Sequence, residues 1–161
     1  MPETTTDPAQ PRLSADDART LEAVLDEIIP ASEDRALPGA GAAGGVAHIE
    51  GVLAKSPELG PLLRDGLAAA RDAAGRRGSG GFAALSRADR LEVLNEVSDA
   101  HPALIPSLIF HSYIGYYLNP RVQEALGLEA RPPHPLGYTF EADDLSLLDE
   151  VRARPRLYRD C

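Results

Sequence analysis

"LSADDARTLEAVLDEIIP", residues 13–30, decides how the chain is to be read. Ser14 stands as an N-cap with Asp17 three residues on, so a hydroxyl and a carboxylate are placed to satisfy backbone donors that a helix start leaves orphaned. Leu21, Val24, Leu25, Ile28 and Ile29 then recur at helical spacing and form one apolar stripe. Pro30 ends the pattern, because its ring and missing N–H cannot continue the hydrogen-bond ladder. A capped, one-sided helix with a clear stop predicts a fold that buries helix faces against one another.

Composition points the same way. Ala and Leu supply much of the 43% apolar content and there is no Trp; these are helix formers, whereas strands want β-branched and aromatic residues. At 161 residues the chain has room for one ordinary domain with tails.

The same signals recur along the chain. Residues 1–12 are polar and proline-containing and read as a tail. After the loop "PASEDRALPGAGAAGG", the stretch "GVAHIEGVLA" resumes an apolar pattern at Val46, Ile49, Val52 and Leu53. Ser56 and Pro57 are placed as N-cap and first helical residue of the next helix, whose firm part is Leu62–Ala74. Gly60 and Pro61 threaten to break its first turn. Beyond the connector "GRRGSGG", Ser86 and Asp89 repeat the capping pair, with Leu91, Leu94 and Val97 as the stripe.

"HPALIPSLIFHSYIGYYLN" is the most apolar stretch and predicts a central helix from about Pro102 to Asn119. "PRVQEALGLEA" adds one or two turns ended by Gly127, and "DDLSLLDEV" one further short turn. The predicted fold class is all-α: a small bundle of five to six short helices over 13–130, followed by a long irregular C-terminal segment over 131–161. Structureless runs beyond about 15 residues are uncommon in compact domains unless they bind something or are disordered.

Several function classes are disfavoured. With 25 acids against 16 Lys and Arg, net charge −9, no basic face for nucleic acid is apparent. The lone cysteine, Cys161, excludes an intramolecular disulfide and a multi-thiolate metal site. No apolar run is long enough to span a membrane, and "MPETTTDPAQPR" lacks the features of a secretory signal. The arginine pair Arg76–Arg77 is internal, with no apolar segment after it.

"GAGAAG", residues 39–44, matches the dinucleotide fingerprint in letters only. That motif works where a buried strand delivers the glycine turn to a helix N-terminus, and "SEDRALP" is no such strand. His48, His101, His111 and His134 include no i, i+4 pair for zinc. No G-x-S-x-G elbow occurs, and the pairs Asp16–Asp17 and Asp143–Asp144 sit at predicted helix starts, where the helix dipole accounts for them. No catalytic, cofactor or metal residue is assigned.

Tyr113, Tyr116 and Tyr117 share a helical face, extended by Ile109 and Phe110. A core stripe and a half-buried interface both account for them, since tyrosine joins a large apolar surface to a hydroxyl that seeks a partner.

Three stretches give the chain its resemblance to a known family: "LSADDARTLEAVLDEIIPASEDRALPGA", "FHSYIGYYLNPRVQEALGLEARPPHPLGY" and "SLLDEVRARPRLYRDC". They resemble the gluconate 2-dehydrogenase subunit 3 family. The resemblance implies a non-catalytic small subunit that binds, stabilises and helps mature a large FAD-dependent flavoprotein of the glucose–methanol–choline (GMC) type, which oxidises a sugar or alcohol. FAD is expected in that partner and no cofactor in this chain; some assemblies add a cytochrome subunit. Many relatives carry a twin-arginine signal, and its absence here makes a cytoplasmic complex the expectation, with a periplasmic or extracellular one if a signal-bearing partner exports it.

On this reading the proline-rich segment is a strap kept near extended geometry, which loses less entropy on docking. The expected partner contacts are Tyr113, Tyr116, Tyr117, Pro132, Pro133, His134, Tyr138 and Tyr158. Two alternatives stay open: a subunit that lends His134 or a tyrosine to the partner's active site or electron transfer, and a free-standing helical interaction domain.

Overall fold

The computed structural model describes residues 13–132, 134–137 and 144–155. The chain divides into two units, Met1–Ala130 and Arg131–Cys161. Six α-helices make the described part of the first: α1 (Ala15–Ile28), α2 (Val46–Lys55), α3 (Gly60–Gly75), α4 (Arg87–Ala100), α5 (Leu104–Tyr117) and α6 (Pro120–Ala125). No strand occurs among the described residues. The expected all-α class holds.

α1 is the centre of the unit, packed on α3, α5 and the turn before α2. Leu21 and Leu25 are fully buried and Val24 nearly so, so the stripe read from the sequence is the core face. Ser14 caps as expected, accepting the Asp17 N–H at 3.1 Å. The Asp17 carboxylate, however, accepts from the Ser14 hydroxyl at 2.7 Å rather than from backbone. Ser86 and Asp89 repeat this arrangement at α4, at 3.2 and 2.6 Å.

Two local expectations fail. Ser56 makes no capping bond: Pro57–Leu59 forms a 3₁₀ turn, and α3 starts at Gly60 with Pro61 in its first turn. Pro61 is tolerated there because the first helical N–H groups have no intrahelical acceptor anyway. On α4 the buried pair is Val93 and Val97, while Leu91 is 45% exposed. Either register fits helical spacing, and the packing of α4 on α3 selects the valines.

Close approach sets two crossings. A Cβ on Gly66 of α3 would lie 2.3 Å from a Leu104 methyl of α5, and one on Gly115 of α5 would lie 2.7 Å from the His48 ring of α2. Both glycines let α5 sit flush on its neighbours.

The Arg76–Arg77 pair is structural. Both guanidiniums engage Glu96 of α4, Arg77 at 3.0 Å. The hydrogen bond from Arg77 is the main reason the Glu96 carboxyl titrates below its ordinary value. α6 ends in a closed turn, with Gly127 at φ 75° and the N–H groups of Gly127 and Leu128 bonded back to Glu124 and Gln123 at 2.9 Å each.

In the second unit, Leu145–Leu148 forms a 3₁₀ turn that runs into α7 (Asp149–Arg152), where a short turn was expected. The Asp144 carboxylate caps it, accepting the Ser146 N–H at 3.0 Å. Residues 134–136 form a turn instead of running straight, and Arg131 donates to the Gly137 carbonyl at 2.8 Å. Proline fixes φ but serves turns as readily as extended chain. The expected tail over 1–12 and the contacts Pro133, Tyr138 and Tyr158 lie outside the described residues.

Candidate partner-binding surface

Leu104 to Asn119 carries no Asp, Glu, Lys or Arg in a chain where a quarter of residues are charged. The helix it forms is apolar all round, so its pattern does not reveal which side faces the core. The structure sets the phase. Leu104, Leu108, Ser112 and Tyr116, spaced by four, are buried. Ile109, Phe110, Tyr113, Ile114, Tyr117 and Leu118 are exposed on the other side.

The three tyrosines therefore separate. Tyr116 is 5% exposed and its hydroxyl donates to the Pro38 carbonyl at 2.9 Å. Burial first, then Tyr117, raises its pKa above the ordinary phenol value. As a partner contact Tyr116 is corrected: it belongs to the core. Tyr113 and Tyr117 are about half exposed, at 48% and 50%, and their rings stack at 6.1 Å. Phe110, at 62% exposure, continues this row toward the N-terminus of the helix.

α5 is fixed against rotation by polar ties at its C-terminal end. Tyr116 holds Pro38, and the Asn119 side-chain amide donates to the Ala43 carbonyl while its oxygen accepts the Arg121 N–H at 2.9 Å, starting α6. The outer face is thus presented by a rigid element, with the aromatic enrichment and charge depletion that mark interface centres.

Other candidate chemistry resolves differently. In "GAGAAG" the Asp26 carboxylate of α1 accepts the N–H groups of Gly41 and Ala42, at 2.8 and 3.4 Å. A Cβ on Gly41 would meet the Glu22 carbonyl at 2.3 Å. These glycines admit the backbone of α1, and a carboxylate of the chain already occupies the donors that a pyrophosphate would need.

His48 and His111, unrelated by helical spacing, come together across α2 and α5 with ring centroids 6.5 Å apart. Among the described residues, the buried His48 Nε2 has no hydrogen-bond partner. Burial, then the charges of His111 and Lys55, lower the His48 pKa from its ordinary value. Sequence spacing gave no sign of this pair, because it is made by tertiary packing. Among the described residues, no group of three or more His, Cys, Asp or Glu is placed to hold a metal ion. None of the described helices is long and apolar enough to cross a membrane. Pro132 and His134, in the second unit, are exposed.

The family model for gluconate 2-dehydrogenase subunit 3 matches residues 15–128. The chain belongs to that family. No curated protein and no solved structure matches it. Membership in gluconate 2-dehydrogenase subunit 3 makes the chain an accessory subunit of a dehydrogenase, and the match takes in α1 to α6 with the whole outer face of α5. The match ends before Arg131, so the third stretch of resemblance, residues 146–161, lies beyond it.

Proposed function

We propose that this chain is the non-catalytic small subunit that binds, stabilises and helps mature a large FAD-dependent dehydrogenase subunit of the GMC type, acting on a sugar or alcohol. The outer face of α5 is the docking surface. The observation that carries the reading is the row Phe110, Tyr113 and Tyr117, exposed on a helix with no charge from Leu104 to Asn119 in a subunit of a dehydrogenase family. Contiguous exposed apolar surface of this kind marks an interaction site.

FAD belongs to the partner on this reading. Supporting that division, the glycine-rich turn of this chain closes on its own Asp26. The complex is placed in the cytoplasm, or outside it when a signal-bearing partner exports both chains; a cytochrome is a further partner in assemblies that contain one.

The test is purification of the chain from its native cell with identification of what accompanies it. A large flavin-binding oxidoreductase in fixed ratio is the expected result. Expression of that flavoprotein with and without this chain then reads the stabilising role as soluble, flavin-loaded yield. Full yield without this chain would overturn it.

A further inference from the structure

The seam between α2 and α5 brings two imidazoles together in a way that helix packing alone does not require. A Cβ on Gly115 would lie 2.7 and 2.8 Å from Cγ and Cδ2 of His48, so this edge of the ring is turned onto α5. Nε2 is bonded to Cδ2 and therefore lies in the seam. It is buried there, and among the described residues nothing hydrogen-bonds to it. His111 stands one turn before Gly115 on the same side of α5 and sets a second imidazole 6.5 Å away, centroid to centroid. A buried ring nitrogen without a partner is destabilising, and native structures keep such groups where a water, an ion or a function accounts for them.

Protonation and spacing both favour an ion. Burial, then the charges of His111 and Lys55, oppose protonation of His48, and the neutral ring is the form that ligates metals. With its proton on Nδ1, the opposite edge of the ring, His48 presents the Nε2 lone pair to the seam. Metal–nitrogen bonds of about 2.0–2.1 Å hold two imidazole centroids about 4.5–6.5 Å apart, from a right-angled to an in-line arrangement. The observed 6.5 Å stands at the open end of that range, and His111, half-buried at the edge of the seam, is the ring that closes it.

We propose that His48 Nε2 and His111 bind one divalent first-row ion of the zinc, copper and nickel class, with water in the remaining positions. Imidazole suits these ions, whereas magnesium and calcium take oxygen ligands. Lys55 of α2 opposes a cation here, and α5 carries no charge from Leu104 to Asn119, so the two rings supply the affinity themselves. With two protein ligands the ion is exchangeable, and its structural effect is to pin α2 to α5. His111 also meets Phe110 edge-on at 5.1 Å, so the pinned pair borders the outer aromatic row of α5. The site stands on this chain alone and does not depend on the proposed docking.

The experiment titrates the full chain, carrying Cys161→Ser so that no thiolate competes, with zinc and with copper(II) at about pH 7.5, where the imidazoles are neutral. One equivalent should bind, raising the melting temperature by about 3 °C or more. The electron paramagnetic resonance spectrum of the copper form should show ligation by two imidazole nitrogens. His48→Gln and His111→Gln should each weaken binding by about tenfold or more, since even a lost outer-shell partner costs that much. His111→Gln alters the half-buried ring and keeps the test open should His48→Gln fail to fold. His101→Gln with His134→Gln should bind as the parent does.

Absence of saturable binding would overturn the proposal and leave a bridging water as the occupant of the seam. Binding that persists undiminished in His111→Gln, or that disappears with His101 and His134, would place the ion elsewhere and overturn it equally.

Discussion

Glu27 of α1 accepts a 2.9 Å hydrogen bond from Arg90 of α4, joining helices 63 residues apart in sequence. The Glu27 side chain is only 7% exposed and also receives Arg87 at 3.3 Å. Arg90 in turn donates to the carbonyls of Leu85 and Ala83, at 3.1 and 3.3 Å, closing the loop that leads into α4. The pair is a bolt between the first and fourth helices.

Removing the carboxylate leaves Arg90 a charged group with part of its partners gone. Glu27→Ala should lower unfolding free energy by about 2–3 kcal/mol, below the range for a fully buried pair because Arg90 keeps some solvent. Arg87→Ala, on the exposed arm, should cost less than about 1 kcal/mol. Denaturant melts of both variants check the order, and equal costs would contradict the bolt.

Asp26 tests the glycine turn. Asp26→Ala strips the acceptor from the Gly41 and Ala42 N–H groups and should destabilise by about 1–2 kcal/mol. Gly41→Ala forces a methyl onto the Glu22 carbonyl and should cost about 1–3 kcal/mol. Titration of the chain with a dinucleotide should give no saturable binding, and saturable binding lost on Asp26 or Gly41 substitution would reverse this reading.

The ends of helices were more legible in the sequence than their faces. Ser14, Pro30, Ser86 and Gly127 announce boundaries through local chemistry, and the structure uses each of them so. Ser56 misleads because its neighbour Pro57 opens a 3₁₀ turn, which Gly60 and Pro61 then convert to helix. α5 hides its orientation for a different reason. Apolar residues on all sides carry no phase, so the split between Tyr116 and its neighbours rests on tertiary ties to Pro38 and Ala43. The meeting of His48 with His111 is likewise a product of packing, made close by Gly115.

That split at α5 gives a paired prediction. Tyr116→Phe leaves the Pro38 carbonyl without its donor and should cost about 1–2 kcal/mol of stability. Tyr117→Ser and Phe110→Ser, on the outer face, should each change stability by no more than about 0.5 kcal/mol. Affinity for the proposed large subunit should move in the opposite pattern, with Phe110→Ser weakening it by about 1–2 kcal/mol or more and Tyr116→Phe changing it little. Melts and binding measurements on the same preparations decide the matter. Outer-face variants that melt early with normal binding would assign the face to folding.

His48 should make the fold weaker in mild acid. Its folded-state pKa lies below the ordinary value of 6.5, because burial, then the charges of His111 on α5 and Lys55 on its own helix, oppose protonation. The unfolded chain therefore binds the proton more readily than the folded one, and stability rises with pH across this window. By about pH 8 both states hold an almost wholly neutral His48 and it contributes little slope; as pH falls through 6.5 to the lowered folded value, stability is lost. The paired imidazoles, 6.5 Å apart at centroid, add repulsion when both are charged. Thermal melts of the parent at about pH 7.5 and about pH 5 should differ more than those of His48→Gln, which cannot take up the proton. Equal pH dependence in the two chains would show that other groups set the acid limit, and a steeper dependence in His48→Gln would reverse the sign assigned to this site.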